Sequence, residues 1–132
     1  MYYGYIESES LKNPLILNRY KKVKIEIEYV PTSQNYPYVH AYYLKFTEQE
    51  ILKEVKKFSK EIKPEWYALF WDNKTVFAIF SNKVFTLPNE GNWRSDAYKE
   101  IQQYGVTHGI GLEYMDFNKN LKRFYQTLAN KK

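Results

Sequence analysis

The chain has 132 residues, a formal net charge of +5, a hydrophobic content of 44%, an aromatic content of 19% that includes 14 Tyr, and no Cys. That length fits one domain over 1–132, the apolar content excludes disorder, and the missing Cys excludes disulfides, thiolate nucleophiles and Cys-based zinc sites. No apolar run approaches the roughly 18 residues of a membrane span, and Met1–Glu7 lacks the basic and apolar regions of a secretory signal, so a cytoplasmic protein with no membrane partner is expected.

Tyr2 to Ser8 reads as a short strand, and Ser10-Leu11-Lys12-Asn13-Pro14 turns the chain ahead of an apolar patch, Leu15 to Leu17. Val23, Ile25, Ile27 and Tyr29 then alternate with Lys22, Lys24, Glu26 and Glu28, which predicts a strand with its apolar side buried and its charged side wet. Pro31 ends it, Thr32 to Pro37 reads as a loop, and Val39 to Phe46 is a third strand rich in β-branched and aromatic residues. Thr47 and Glu50 have capping-box spacing, with Phe46 and Ile51 placed as a hydrophobic staple. The helix they open has Ile51, Val55, Phe58 and Ile62 on one face, Lys53, Glu54, Lys56, Lys57 and Lys60 on the other, and a stop at Lys63-Pro64.

Six apolar residues, Trp66 to Trp71, predict a central strand covered on both faces. Asp72-Asn73-Lys74 and Ser81-Asn82-Lys83 are hairpin turns that continue it into Thr75 to Phe80 and Val84 to Leu87. After a loop at Pro88 to Asn92, Ser95 is placed to cap a helix with Ala97, Ile101 and Tyr104 on its apolar side, and Gly105 to end it. Leu112 to Met115 is too short to assign. Asn118 is placed to cap a last helix carrying Leu121, Phe124 and Leu128, and Asn130 to Lys132 are expected to fray. The order predicts an α+β fold: an antiparallel-rich sheet of five to six strands with about three helices on one face. A ferredoxin-like arrangement from the third strand onward would need Leu112 to Met115 as its last strand.

Tyr3-Gly4-Tyr5-Ile6 with Ser10 to Pro14, Trp66 to Trp71, Lys83-Val84-Phe85, and Gly109-Ile110 through Met115-Asp116-Phe117 together resemble a family of short uncharacterised (hypothetical) prokaryotic proteins. The likeness runs in order through most of the chain and implies a free-standing small protein. That family has no established activity, so the resemblance implies no site residue.

No cofactor fingerprint is present. His40 and His108 lack any metal-ligand spacing, and a zinc ion would have to recruit carboxylates such as Glu113 or Asp116, so no metal is expected. Ser8 and Ser10, between Glu7 and Glu9, are read as turn residues before they are read as nucleophiles. The Gly105 to Gly111 stretch follows a helix where an anion cradle precedes one, so it is read as a helix end with His108 at its tip. Lys74 to Phe80 has some likeness to the aromatic strand of RNA-recognition sheets but lacks its Gly.

The leading expectation is a small non-catalytic binding or interaction protein. His40, Tyr42, Trp71, Trp93 and Arg94 would converge near strand ends into an aromatic surface for a protein or a small ligand, because Trp, Tyr and Arg dominate interface energies. Val23 to Val30 offers an exposed strand for a homodimer, or carries its alternating Lys and Glu as edge protection. The mildly basic balance, with a pI near 9.2, keeps nucleic acid open through Lys119, Lys122 and Arg123 on the last helix. The third class is a small enzyme with His40 or His108 as general base beside a carboxylate.

Overall fold

A computed structural model describes residues 1–31, 35–89 and 93–129. The loop expected at Thr32 to Gln34, the part of the next loop at Glu90 to Asn92, and the tail from Asn130 lie outside them. Six strands form one sheet: β1 (Tyr2–Glu7), β2 (Lys21–Tyr29), β3 (Tyr38–Phe46), β4 (Tyr67–Trp71), β5 (Thr75–Phe80) and β6 (Lys83–Pro88). Their order is β2-β3-β1-β4-β5-β6 and every pairing is antiparallel. The helices are α1 (Ile51–Glu61), α2 (Asp96–Thr107) and α3 (Phe117–Ala129), with short 3-10 segments at Ser8–Ser10, Pro14–Arg19 and Leu112–Tyr114. The α+β sheet and its three helices are as expected. The segment that a ferredoxin-like fold would use as its last strand is one of the 3-10 turns.

β3 and β4 both run antiparallel to β1, hence parallel to each other, and α1 connects them across it. This is a split β-α-β unit whose inserted strand is the N-terminal one. The helices cover both faces of the sheet rather than one. Ile6, Leu44, Phe46, Phe70 and Ile79 pack with Phe58 of α1; on the other side Tyr5, Tyr43, Trp71 and Phe80 meet α2 and α3. The central run of β4 is apolar throughout because it has a helical layer on each side.

Local signals set α1. Thr47 N donates to Glu50 Oε1 at 3.0 Å and Glu50 N to Thr47 Oγ1 at 3.2 Å, so the capping box closes in both directions. Glu54 departs from the expected wet face: it is buried and accepts a hydrogen bond from the Tyr20 hydroxyl. In α2, Ser95 caps as expected by accepting from Tyr98 N, but Ala97 is exposed and Tyr98 takes its place in the core. The helix also runs past Gly105 to Thr107. A Cβ at Gly105 would lie 2.8 Å from the Met115 side chain, so this glycine makes room for a neighbour instead of ending the helix. Gly109, at φ +90°, makes the stop: Ile110 N donates to Gly105 O and Gly109 N to Val106 O, a Schellman closure. The α3 cap is Asp116, whose Oδ1 accepts from Lys119 N at 3.0 Å, and not Asn118.

Gly4 is a second close approach. It pairs with Phe70 across β1 and β4, and a Cβ there would meet the Phe70 ring at 2.5 Å. That ring stacks on Phe46 at 4.8 Å and meets Phe58 edge-on at 5.2 Å, so it has nowhere to retreat. Gly4→Ala is expected to lower stability by about 1–2 kcal/mol through overpacking, read as a lower denaturation midpoint at unchanged m-value. An unchanged midpoint would show that the ring yields.

Candidate interaction surface

The residues expected to form one aromatic surface are dispersed. Trp71 is 1% exposed and packs on Phe124 beneath α3, and Trp93 is 8% exposed against Tyr98 and Phe117. Arg94 is exposed beside it. The interior therefore holds both Trp side chains, and they share no surface with His40 and Tyr42 on β3. Of the three basic residues on α3, Lys119 and Lys122 face solvent. Arg123 lies 3.6 Å from the Glu28 carboxylate and rests on the Tyr5 and Phe124 rings. His108 closes α2: its Nδ1 is 2.7 Å from Tyr104 O and its ring stacks on Tyr104 at 4.0 Å. Ser10 is buried with its hydroxyl donating to Glu7 O, which is turn chemistry.

The structure assembles a different surface around His40 and Tyr42. Ile25, Ile27 and Tyr29 of β2 pair with Tyr42, His40 and Tyr38 of β3, so these six side chains share one face of the sheet. α1 covers that face farther along but does not reach β2. Ile25, Ile27, Tyr29 and Tyr38 are consequently 49%, 67%, 64% and 57% exposed. Tyr29 and Tyr38 lie ring to ring at 5.2 Å. The expectation that this apolar side is buried is thus reversed. A bulge between Lys22 and Lys24 shifts the register, and Lys24, Glu26 and Glu28 turn instead toward the side carrying α3, where Arg123 and the Tyr5 hydroxyl meet Glu28.

His40 is fixed at the border of the strip. Its backbone N–H donates to Glu9 Oε1 at 2.8 Å and its ring Nδ1 lies 2.7 Å from Glu9 Oε2. A carboxylate only accepts, so Nδ1 carries the proton and Nε2 faces outward. Burial works against the Glu9 charge, but these two bonds to His40 outweigh it and hold the carboxyl below its usual range. Beyond His40, Lys63 Nζ bonds Glu9 O at 3.0 Å and Tyr36 Oη at 3.3 Å, and Tyr36 meets Trp66 edge-on at 5.4 Å. The His40 border of the strip is therefore held by Glu9, which is itself tied to Lys63 through its carbonyl.

Behind the strip, on the other face, is an ionisable cluster. Glu7 shares a face with Tyr3 and Tyr5, and burial, then Glu28, then Glu9 push its carboxyl up to about 7 against the opposing pull of Arg123. Tyr5 Oη donates to Glu28 at 3.0 Å. Asn120 Nδ2 donates to Tyr67 Oη, whose own proton goes to Tyr114 O. Two shallow hollows lie among the described residues, of about 380 and 340 Å³. One lies between Lys56, Lys60 and Lys83, the other between Gln102, Val106 and Leu112. Neither is lined by Glu7, His40 or His108. Among the described residues no group of three or more His, Asp or Glu side chains is arranged to hold a metal ion, and no helix is long and apolar enough to cross a membrane.

Val23 to Val30 is readable as an exposed strand, but its apolar face is not readable as the open one, because period-two reading gives two faces without saying which is covered. The Lys21-Lys22-Val23-Lys24 run, too charged for a regular buried side, is the signal that marked the bulge. Glu7 is legible by parity with Tyr3 and Tyr5, although its elevated carboxyl depends on burial first and then on Glu28, contributed by another strand. No known protein family, curated protein or solved structure matches the chain, and the functional argument rests on this geometry.

Proposed function

We propose that the protein is a non-catalytic interaction module whose working surface is the open margin of the sheet formed by Ile25, Ile27, Tyr29 and Tyr38, bordered by His40 and Tyr42. One observation carries this reading: four large apolar side chains stand about half to two-thirds exposed, together, on one face of the sheet margin. Isolated apolar residues on a surface are ordinary, but a contiguous strip on an edge strand is what monomeric proteins avoid. Tyr also suits such a surface, because its large ring orders with only two rotatable side-chain bonds. The Glu9 contacts that hold His40 lower the entropy lost when a partner docks against that border.

The test places photoreactive benzoylphenylalanine at Tyr29 or Tyr38 of the full chain, with Leu52, equally exposed on α1, as control. Irradiation in the producing cells is expected to give a discrete covalent adduct from positions 29 and 38 and none from 52. Absence of an adduct at both strip positions, or equal labelling from position 52, would overturn the reading.

A further inference from the structure

The partner of this margin can be identified from the edge itself. β2 is the outer strand of the sheet, and its backbone polarity follows from one bond: Val30 N donates to Pro37 O at 2.6 Å. Antiparallel pairs alternate between bonded and non-bonded, so Glu28, Glu26 and Lys24 turn their backbone groups toward β3. Ile25, Ile27 and Tyr29 turn theirs to the free edge. His40 agrees with this phase, because its N–H points away from β2 and reaches Glu9. The free donors and acceptors of the edge therefore belong to the residues whose apolar side chains are uncovered.

The charges on the strand have an order. Around Ile25 the sequence reads Lys22, Val23, Lys24, then Glu26, Ile27, Glu28. Cations lie on one side of Ile25 and anions on the other. A strand of this kind is complementary to itself only when run antiparallel. We infer that β2 pairs antiparallel with β2 of a second copy of this chain, about a two-fold axis at Ile25, making one continuous twelve-stranded sheet. This rests on the margin being an interaction surface and names what pairs with its open backbone edge.

In that register Ile25 exchanges both backbone hydrogen bonds with Ile25 of the second copy. Lys24 faces the second copy's Glu26, and Glu26 its Lys24, on the side carrying α3. Lys24 and Glu26 are already 3.8 Å apart within the strand, so the four charges form a closed ring of alternating sign. A two-fold perpendicular to the sheet keeps each face continuous, so Ile25 and Ile27 of both copies merge into one apolar strip. Charge also rejects the neighbouring registers. An axis at Ile27 sets Glu26 against Glu28, and one at Glu26 sets that carboxylate against itself. The bulge at Val23 limits the ladder, so the pairing is short and concentration-dependent.

Sedimentation of the full chain tests this. The wild type is expected to shift with concentration toward twice the 16.0 kDa of one chain. Lys24→Glu and Glu26→Lys are each expected to weaken self-association on the order of tenfold or more, since each replaces two attractive pairs by two like-charge pairs. Mixing the two variants one to one restores the dimer, because each then offers the other opposite charges, and the double variant K24E/E26K restores it alone. Ile25→Pro provides a fold-preserving arm: its N–H faces the free edge, so proline removes the inter-copy bond without breaking the ladder to β3. Far-ultraviolet circular dichroism and melting curves check that each variant is folded. Wild-type chain that stays monomeric, single variants that still dimerise, or a mixture that does not rescue would each overturn the self-pairing. A photoadduct from position 29 with a mass other than the doubled chain would reject the second copy while leaving the interaction reading standing, whereas no adduct at all removes both.

Discussion

Trp93→Ala is expected to lower stability by about 3–5 kcal/mol and to leave association through the sheet margin unchanged in whatever fraction stays folded. The indole is 8% exposed and packs edge-on against Tyr98 at 5.5 Å and Phe117 at 5.7 Å. Tyr98 is itself tied down: its hydroxyl donates to Met115 O at 2.6 Å and accepts from Phe117 N at 3.2 Å. The three rings lock the start of α2 to the start of α3, and Ala at position 93 leaves a cavity that these hydrogen bonds hold open. The full cavity penalty therefore applies, with little relief from collapse. Denaturant titration of the variant checks the magnitude. A loss below about 1 kcal/mol, combined with loss of the photoadduct at Tyr29, would return Trp93 to the role of a contact residue.

Glu7→Gln is expected to raise stability above pH 7 by about 2–3 kcal/mol and to have little effect near pH 4.5. Burial, Glu28 and Glu9 raise the carboxyl to about 7 in the folded chain, against an ordinary value of 4.5. The folded state thus binds the Glu7 proton more tightly than the unfolded state between those values. Stability from this group is fully present below about pH 4.5 and is lost as pH rises through about 7, where the carboxylate ionises beside Glu28 with only Arg123 in opposition. Glutamine keeps the neutral shape at every pH, so the difference between variant and wild type isolates the group from the other carboxylates. Parallel stability curves from pH 4 to 8 would refute the assignment.

The parts of the fold legible in the sequence are those fixed by near neighbours. Thr47 and Glu50 needed only each other to cap α1, and the Trp66–Trp71 run could be central whatever lay above it. The misread features depend on contacts distant in sequence. Gly105 looks like a helix end until Met115 is seen against it, and Glu54 looks like surface until Tyr20 reaches it. The residues of the expected aromatic surface are dispersed for the same reason. Trp71 and Trp93 have the composition of an interface but lie under α3 and beside Tyr98, whereas the Ile residues of β2 have the composition of a core and lie beyond the reach of α1. Which apolar side chains stay uncovered is settled by where helical cover stops, and no local pattern encodes that.

The insertion of β1 between β3 and β4 has a consequence for biogenesis. The first of these six strands to emerge during synthesis is flanked on both sides by segments made later, one of them more than sixty residues downstream at Trp71. Until α1 and β4 are translated, Tyr3, Tyr5 and Ile6 have at most one neighbour. A nascent chain that has emerged as far as Glu61 would carry a three-stranded fragment with a bare inner edge, a natural target for holdase chaperones. Slowing the emergence of 47–66 would lengthen that exposed interval, whereas slowing once Phe80 has emerged would find the seam already sealed.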